Sequence, residues 1–130
     1  MVCTPVDISV KTRMTNELID KVKAGNSPAA QYIGKYARLH GSYNYLWDEL
    51  ASAAWLDSSL ITKKENRYMD VNLDRGPNYG DTLTWTDWDR PKRDLQSVEV
   101  QVDLDTDKFY KLFVVLLTGP TTTPGKPSTP

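Results

Sequence analysis

The apolar residues of this chain change period partway along it, and that change limits what the chain can fold into. From residue 15 to 56 they recur every three or four positions, as on one side of a helix; from Tyr68 they alternate every second position, as in a strand with one dry face. Thr15 caps a helix over 16–24 that turns Leu18, Ile19 and Val22 inward, with Met14 placed to staple on Ile19 and Gly25 placed to end it. Ser27-Pro28 opens a second helix over 28–40, where Ala29, Ile33, Tyr36, Ala37 and His40 share a side and Gly41 is the stop. After a linker over 41–45, Asp48 reads as the N-cap of a small-residue helix over 48–56. Strands are expected over 68–73 and 82–86, joined as a hairpin by the turn formers of 74–80. A third strand, 97–104, has Val98, Val100, Val102 and Leu104 dry and Glu99, Gln101 and Asp103 wet. Caps at Asp105-Thr106-Asp107 start a last helix, 107–117, carrying Phe109, Leu112, Phe113 and Leu116 inward, and residues 3–10 read as a strand end running into a loop. The class is α/β.

Its 130 residues suit one domain, taken here as 1–119. The remainder, 120–130, holds four prolines and four threonines without an aliphatic side chain, and so reads as a disordered tail. Sixteen basic residues against seventeen acidic ones leave a formal charge of -1, so no basic field gathers nucleic acid or an anionic membrane surface. The longest apolar run, Leu112 to Leu117, has six residues against the roughly 20 that a bilayer crossing needs. One cysteine, Cys3, rules out an internal disulfide, and with the single His40 it rules out a Cys/His zinc site. The compartment stays open on this reading, with the cytoplasm slightly favoured.

Self-sufficient catalytic motifs are absent: there is no Walker A loop, no Gly-x-Ser-x-Gly and no His-Glu-x-x-His. His40, placed at a helix end, serves the negative helix terminus. Asp103-x-Asp105-x-Asp107 has the spacing of a calcium loop, but Lys108 stands where such a loop needs glycine, so the run reads as a helix cap. Trp85 and Trp88, flanking Asp87, form a possible stacking platform for a sugar ring, against the commoner use of tryptophan in packing. Asp48 is a carboxylate at a helix start, where it serves as a cap or holds a cation or polyol.

Three blocks of sequence, in this order, carry a resemblance. They are Thr4-Pro5-Val6-Asp7-Ile8-Ser9, then Leu46-Trp47-Asp48-Glu49-Leu50-Ala51-Ser52-Ala53-Ala54-Trp55-Leu56-Asp57, then Arg75-Gly76-Pro77-Asn78-Tyr79-Gly80-Asp81-Thr82. Together they resemble the C-terminal region of the inosine-uridine preferring nucleoside hydrolases. The first is similar to that family's Pro-Leu-Asp-Val-Thr strand exit and the last to its late Gly-x-x-Tyr-Gly-x-Thr hairpin. The resemblance implies a C-terminal portion of an open, mainly parallel sheet with helices and a β-hairpin, most of the parallel part being absent. It also implies a hydrolase that cleaves the N-glycosidic bond of ribonucleosides to ribose and base with the help of calcium.

By that resemblance Asp48 is a calcium ligand, and Trp47 stands where some members carry the histidine that protonates the leaving base. Tyr32 and Tyr36 are similar in placement to aromatics lining the base pocket. The family's aspartate-rich Asp-x-Asp-x-Gly-x-Asp-Asp motif, which supplies most calcium ligands and the general base, has no counterpart in this sequence. The expectation is therefore a truncated or split hydrolase, inactive as an isolated chain, with calcium binding weak or absent. Self-association or pairing with a missing N-terminal half is the expected partnership. The alternative is a stand-alone binding or assembly module, sugar-binding through Trp85 and Trp88.

Overall fold

The computed structural model describes residues 1–120; all but the first residue of the expected tail 120–130 lies outside them. In chain order the elements are β1 (Val2–Cys3), α1 (Val6–Ser9), β2 (Arg13–Met14), α2 (Asn16–Lys23), α3 (Pro28–Tyr36), β3 (Asn44–Tyr45) and α4 (Trp47–Leu56). A 3-10 turn (Ser58–Leu60) then leads into β4 (Ile61–Val71), β5 (Thr82–Trp85), β6 (Gln96–Leu104) and α5 (Thr106–Thr118). The larger sheet has the order β1-β6-β4-β5, and β2 pairs with β3 in a separate two-stranded ladder. The α/β class stands, with a mixed sheet: β1 runs parallel to β6, while β6 on β4 and β4 on β5 are antiparallel.

The helices start where short polar side chains replace missing backbone partners. Thr15 accepts from Leu18 N at 3.2 Å, Ser27 from Ala30 N at 3.0 Å with Pro28 at the first helical position, and Asp105 from Lys108 N at 2.9 Å. Ser27 also donates to the Leu117 carbonyl, tying the start of α3 to the end of α5. Gly25 lies where α2 meets α5, and a Cβ there would come within 2.7 Å of the Thr118 side chain, so glycine is needed for the close approach. Leu18 and Val22 of α2, Ala30 of α3, Leu50, Ala53 and Ala54 of α4, and Phe109 and Phe113 of α5 close one core with Ile8, Leu46, Leu60, Ile61 and Leu104. The sheet thus enters the core only at the end where β4 starts and β6 finishes.

Several expectations need correction. The strand expected over 68–73 begins at Ile61, because its polar first half, Thr62 to Asn66, is held by ladder bonds to β6 rather than by an apolar face. The hairpin with β5 is in register Tyr68↔Trp85 to Val71↔Thr82, and its loop closes through Gly80 N on the Asn72 carbonyl at 2.8 Å, with Gly80 at φ +91. The helix expected over 28–40 stops at Tyr36, since Asn44 accepts from His40 N at 3.0 Å and donates to the Arg38 carbonyl at 2.9 Å, drawing the chain into a loop. His40 is therefore not in a helical last turn, and the inward residue near the start of α3 is Ala30 rather than Ala29. Leu116 faces solvent, whereas Phe109 and Phe113 are buried as expected. Gln101, assigned to the wet face of β6, is 4% exposed. Gln101 is covered by the segment of Thr4 and α1, and it accepts a 2.7 Å bond from the Thr4 hydroxyl. Residues 3–10 hold the end of β1 and the one-turn helix α1.

Candidate functional site

Trp47 and Asp48 open α4, and the chain before them is anchored from below. Buried Thr12 donates its hydroxyl to the Ser9 carbonyl at 2.9 Å and approaches the Leu46 carbonyl at 3.3 Å, while Leu46 N donates to the Thr12 carbonyl at 3.1 Å. The β2–β3 ladder continues this clamp through Arg13↔Tyr45 and Met14↔Asn44. The Tyr110 hydroxyl, reaching across from α5, accepts from Arg13 N at 2.7 Å and lies 3.2 Å from the Arg13 carbonyl. Leu46 is the helix N-cap and offers no side-chain bond, which corrects the assignment of that role to Asp48. Asp48 lies one residue into the helix, exposed beside Glu49, where both carboxylates face the positive end of the helix dipole.

Sequence reading passed over residues 41–45 as a linker, and this is where the structure builds a wall. Tyr43 and Tyr45 lie two positions apart at β3, and Trp47 follows as the first residue of α4, with the three rings in a row. Tyr43 meets Tyr45 edge-on at 5.3 Å, and Tyr45 stacks on Trp47 at 5.8 Å with 22° between planes. The Arg13 guanidinium lies 4.3 Å from the Tyr43 ring centre and 5.9 Å from that of Tyr45. The hydrogen bond that Tyr45 shares with the neighbouring Tyr43 hydroxyl pushes its phenol above the ordinary value. A cleft of about 580 Å³ is lined by His40, Ser42, Tyr43, Asn44, Tyr45 and Trp47, the last 52% exposed. The i, i+2, i+4 aromatic spacing was the available signal.

The other expected site residues lie apart from this cleft. Tyr32 and Tyr36 pack on each other at 4.7 Å on the outer side of α3, with Lys35 Nζ 5.0 Å from the Tyr36 ring. Trp85 is half-buried, and the Arg93 guanidinium lies 5.6 Å from its ring, while Trp88 is 87% exposed. Among the described residues no three His, Cys, Asp or Glu side chains come together in a way that could hold a metal ion. A Ca²⁺ shell takes about 6–8 oxygens and Asp48 offers two, so the donors at this helix start do not fit calcium by themselves.

No protein-family model matches the sequence, and no curated protein matches it. Solved structures do. The fold is similar to a plant nucleoside hydrolase (TM-score 0.73, 21% identity), covering 88% of this chain and 40% of that one. It is also similar to an inosine-guanosine nucleoside hydrolase (0.66, 17%; 85% of this chain, 36% of that one) and to a purine-preferring ribonucleoside hydrolase from Gardnerella vaginalis (0.71, 21%; 89% and 39%). The architecture is thus that of part of the nucleoside hydrolase fold. This chain spans about two fifths of the length of those solved chains.

Proposed function

We propose that this chain is the C-terminal portion of a nucleoside hydrolase, supplying an aromatic wall and one carboxylate to a site that cleaves ribonucleosides to ribose and base, and that it does not turn over alone. The observation that carries the reading is the Tyr43–Tyr45–Trp47 ladder ending at Asp48, on a chain that shares its fold with three nucleoside hydrolases. Breaking a C1′–N bond leaves positive charge on the sugar and negative charge on the base. A site must therefore hold a water, a base to deprotonate it and an anionic clamp for the sugar at the same time. Trp47 has no proton to give at neutral pH, so its part is to stack on the base. Asp48 is the carboxylate that a sugar-binding calcium ion would use, but the remaining ligands and the general base have to come from outside the described residues.

Base preference is left open by an aromatic wall, since purines and pyrimidines both present a flat face. The rival reading, a stand-alone sugar-binding or assembly module, has exposed Trp88 in its favour, but Trp85 is half-buried and carries the Arg93 guanidinium 5.6 Å from its ring centre. Ribose release from inosine and uridine by the isolated chain is the test. We expect none, and release that disappears in Asp48→Asn would show that the site is complete here. With Asp48 outside the cap, the same substitution removes only a favourable charge from the first turn of α4, a change of about 0.3–1 kcal/mol in stability. Calorimetric titration should show no calcium site tighter than roughly millimolar.

A further inference from the structure

Breaking the C1′–N bond sends its electron pair onto the base, and a base leaves more readily when a proton meets that charge. The resemblance places that proton at the position Trp47 fills, and an indole has none to give at neutral pH. The other side chains around the aromatic cleft are those of His40, Ser42, Tyr43, Asn44 and Tyr45. The Asn44 amide is spent on the main chain, accepting from His40 N and donating to the Arg38 carbonyl. The Tyr43 and Tyr45 hydroxyls lie 3.4 Å apart and share a bond, which makes the Tyr45 phenol a weaker acid than usual. A serine hydroxyl does not ionise near neutral pH. That leaves His40, the single histidine of the sequence, and histidine is the residue type that ordinarily changes charge between about pH 5 and pH 8.

The backbone builds its place. α3 stops at Tyr36, and the two Asn44 bonds close the loop that follows. Gly41, directly after His40, has φ +89 with nothing within 4 Å of where a Cβ would stand, so glycine is there for the turn and not for room. The imidazole thus borders the space beside the Tyr45–Trp47 stack. The charged groups on the surrounding elements are Arg13 of β2, Lys35 of α3, Arg38 with its guanidinium on the Ala37 carbonyl, and Asp48 and Glu49 of α4. Arginine and lysine stay charged through this pH range, and carboxyl groups ionise below it.

We infer that His40, as an imidazolium, is the proton donor to the departing base, and that it reaches the N7 acceptor of a purine stacked on Trp47. The inference rests on the proposed function and adds a base class to it: a purine carries an acceptor nitrogen on the ring that holds the glycosidic nitrogen, and a pyrimidine has none there. In the step, the C1′–N9 bond breaks and its electron pair passes to the base, while the His40 proton goes to N7. The attacking water gives its oxygen to C1′ and a proton to the general base, which releases it to solvent, and neutral His40 regains a proton from solvent.

The experiment titrates this chain with inosine and with 7-deazainosine, which keeps the flat face but has a C–H in place of N7. Proton NMR follows the imidazole signal of the single histidine and the indole signal of Trp47, assigned by its loss in Trp47→Phe, from about pH 5 to about pH 8. Inosine should move both signals and raise the midpoint of the His40 titration. By linkage it should then bind about fivefold tighter at the acid end, an advantage complete below the free midpoint and lost above the bound one. His40→Gln should keep the Trp47 response and lose the pH dependence, and 7-deazainosine should do the same on the unaltered chain. His40 is exposed, so its substitution leaves the core intact, and the deaza probe repeats the test without a substitution. A Trp47 response with an unmoved His40 midpoint, or a pH dependence that survives in His40→Gln or with 7-deazainosine, would overturn the inference and leave the proposed function standing. Absence of any Trp47 response to inosine would remove both.

Discussion

At the helical end of the molecule thirteen buried apolar side chains pack on one another, whereas in the arm made by β5 and the far halves of β4 and β6 the buried apolar residue is Val98. The arm is held by other means. Its ladder bonds are reinforced by ion pairs of Lys64 with Glu99 and Lys63 with Glu65, both at 2.9 Å, by the Arg67–Glu65 pair, and by Arg90 and Arg93 lying over Tyr68 and Trp85. Burial of apolar area scales with what is removed from water, while exposed ion pairs contribute little each. The helical end should therefore set global stability, and the arm should open locally well below it. The aromatic cleft belongs to the stable region, because Thr12, Leu46 and Tyr110 fasten its floor to the core.

The largest expected effect tests that division directly. Phe109→Ala, at a fully buried position touching Phe113, should cost about 3–5 kcal/mol in urea unfolding, while Val98→Ala should cost about 1.5 kcal/mol and mainly speed amide exchange in β4 and β5. Equal costs would mean that the arm and the helices form one cooperative unit. Thr12→Val comes next. It removes the buried hydroxyl from the Ser9 and Leu46 carbonyls, each of which keeps a backbone donor, so the change should cost about 0.5–1.5 kcal/mol and disturb the near-ultraviolet dichroism of the Tyr45–Trp47 stack. A stability loss with an unchanged aromatic spectrum would separate the cleft from the core.

The smallest effects belong to the arm and its charges. Glu65→Gln should shift the unfolding midpoint by less than either change above, and the difference should vanish in about 1 M salt, where screening acts within a few ångströms. Acid should act on the same contacts. Bonds from Lys63 and then Arg67 hold the Glu65 carboxyl below its ordinary value, and a bond from the Thr86 hydroxyl does the same for Asp89 beside β5. Carboxyls depressed in the folded state add stability above their unfolded values, near pH 4, and lose it as the pH falls through the depressed ones. Protection of the β4 and β5 amides, relative to the intrinsic exchange rate at each pH, should therefore fall below about pH 4 before that of the helices. A helical end that loosens first would reverse the comparison.

Much of the helical end was legible because its signals are local. A threonine or serine before an apolar repeat caps its own backbone, and Thr15, Ser27 and Asp105 do so here. Alternation likewise marked the hairpin, since Met69 and Val71 needed no distant partner to show their period. The first half of β4 was not legible: nothing in Thr62-Lys63-Lys64-Glu65-Asn66 favours a strand until β6 is present to pair with it. Gln101 could not be read as buried, because Thr4, 97 residues away, supplies its partner.

For the cleft, the sequence by itself determined which chemistry was available: aromatic faces at Tyr43, Tyr45 and Trp47, a carboxylate at Asp48, and no assembled acidic motif. Tertiary structure decided which of these meet. Asn44 draws the chain out of α3 and so brings His40 to the cleft, Arg13 arrives from β2 to cover Tyr43, and Tyr32 and Tyr36 are left on the outside of α3. The reason is physical. Caps and periods are set by neighbours within a turn or two, whereas a cleft depends on contacts whose loop-closure entropy the packed core has already overcome.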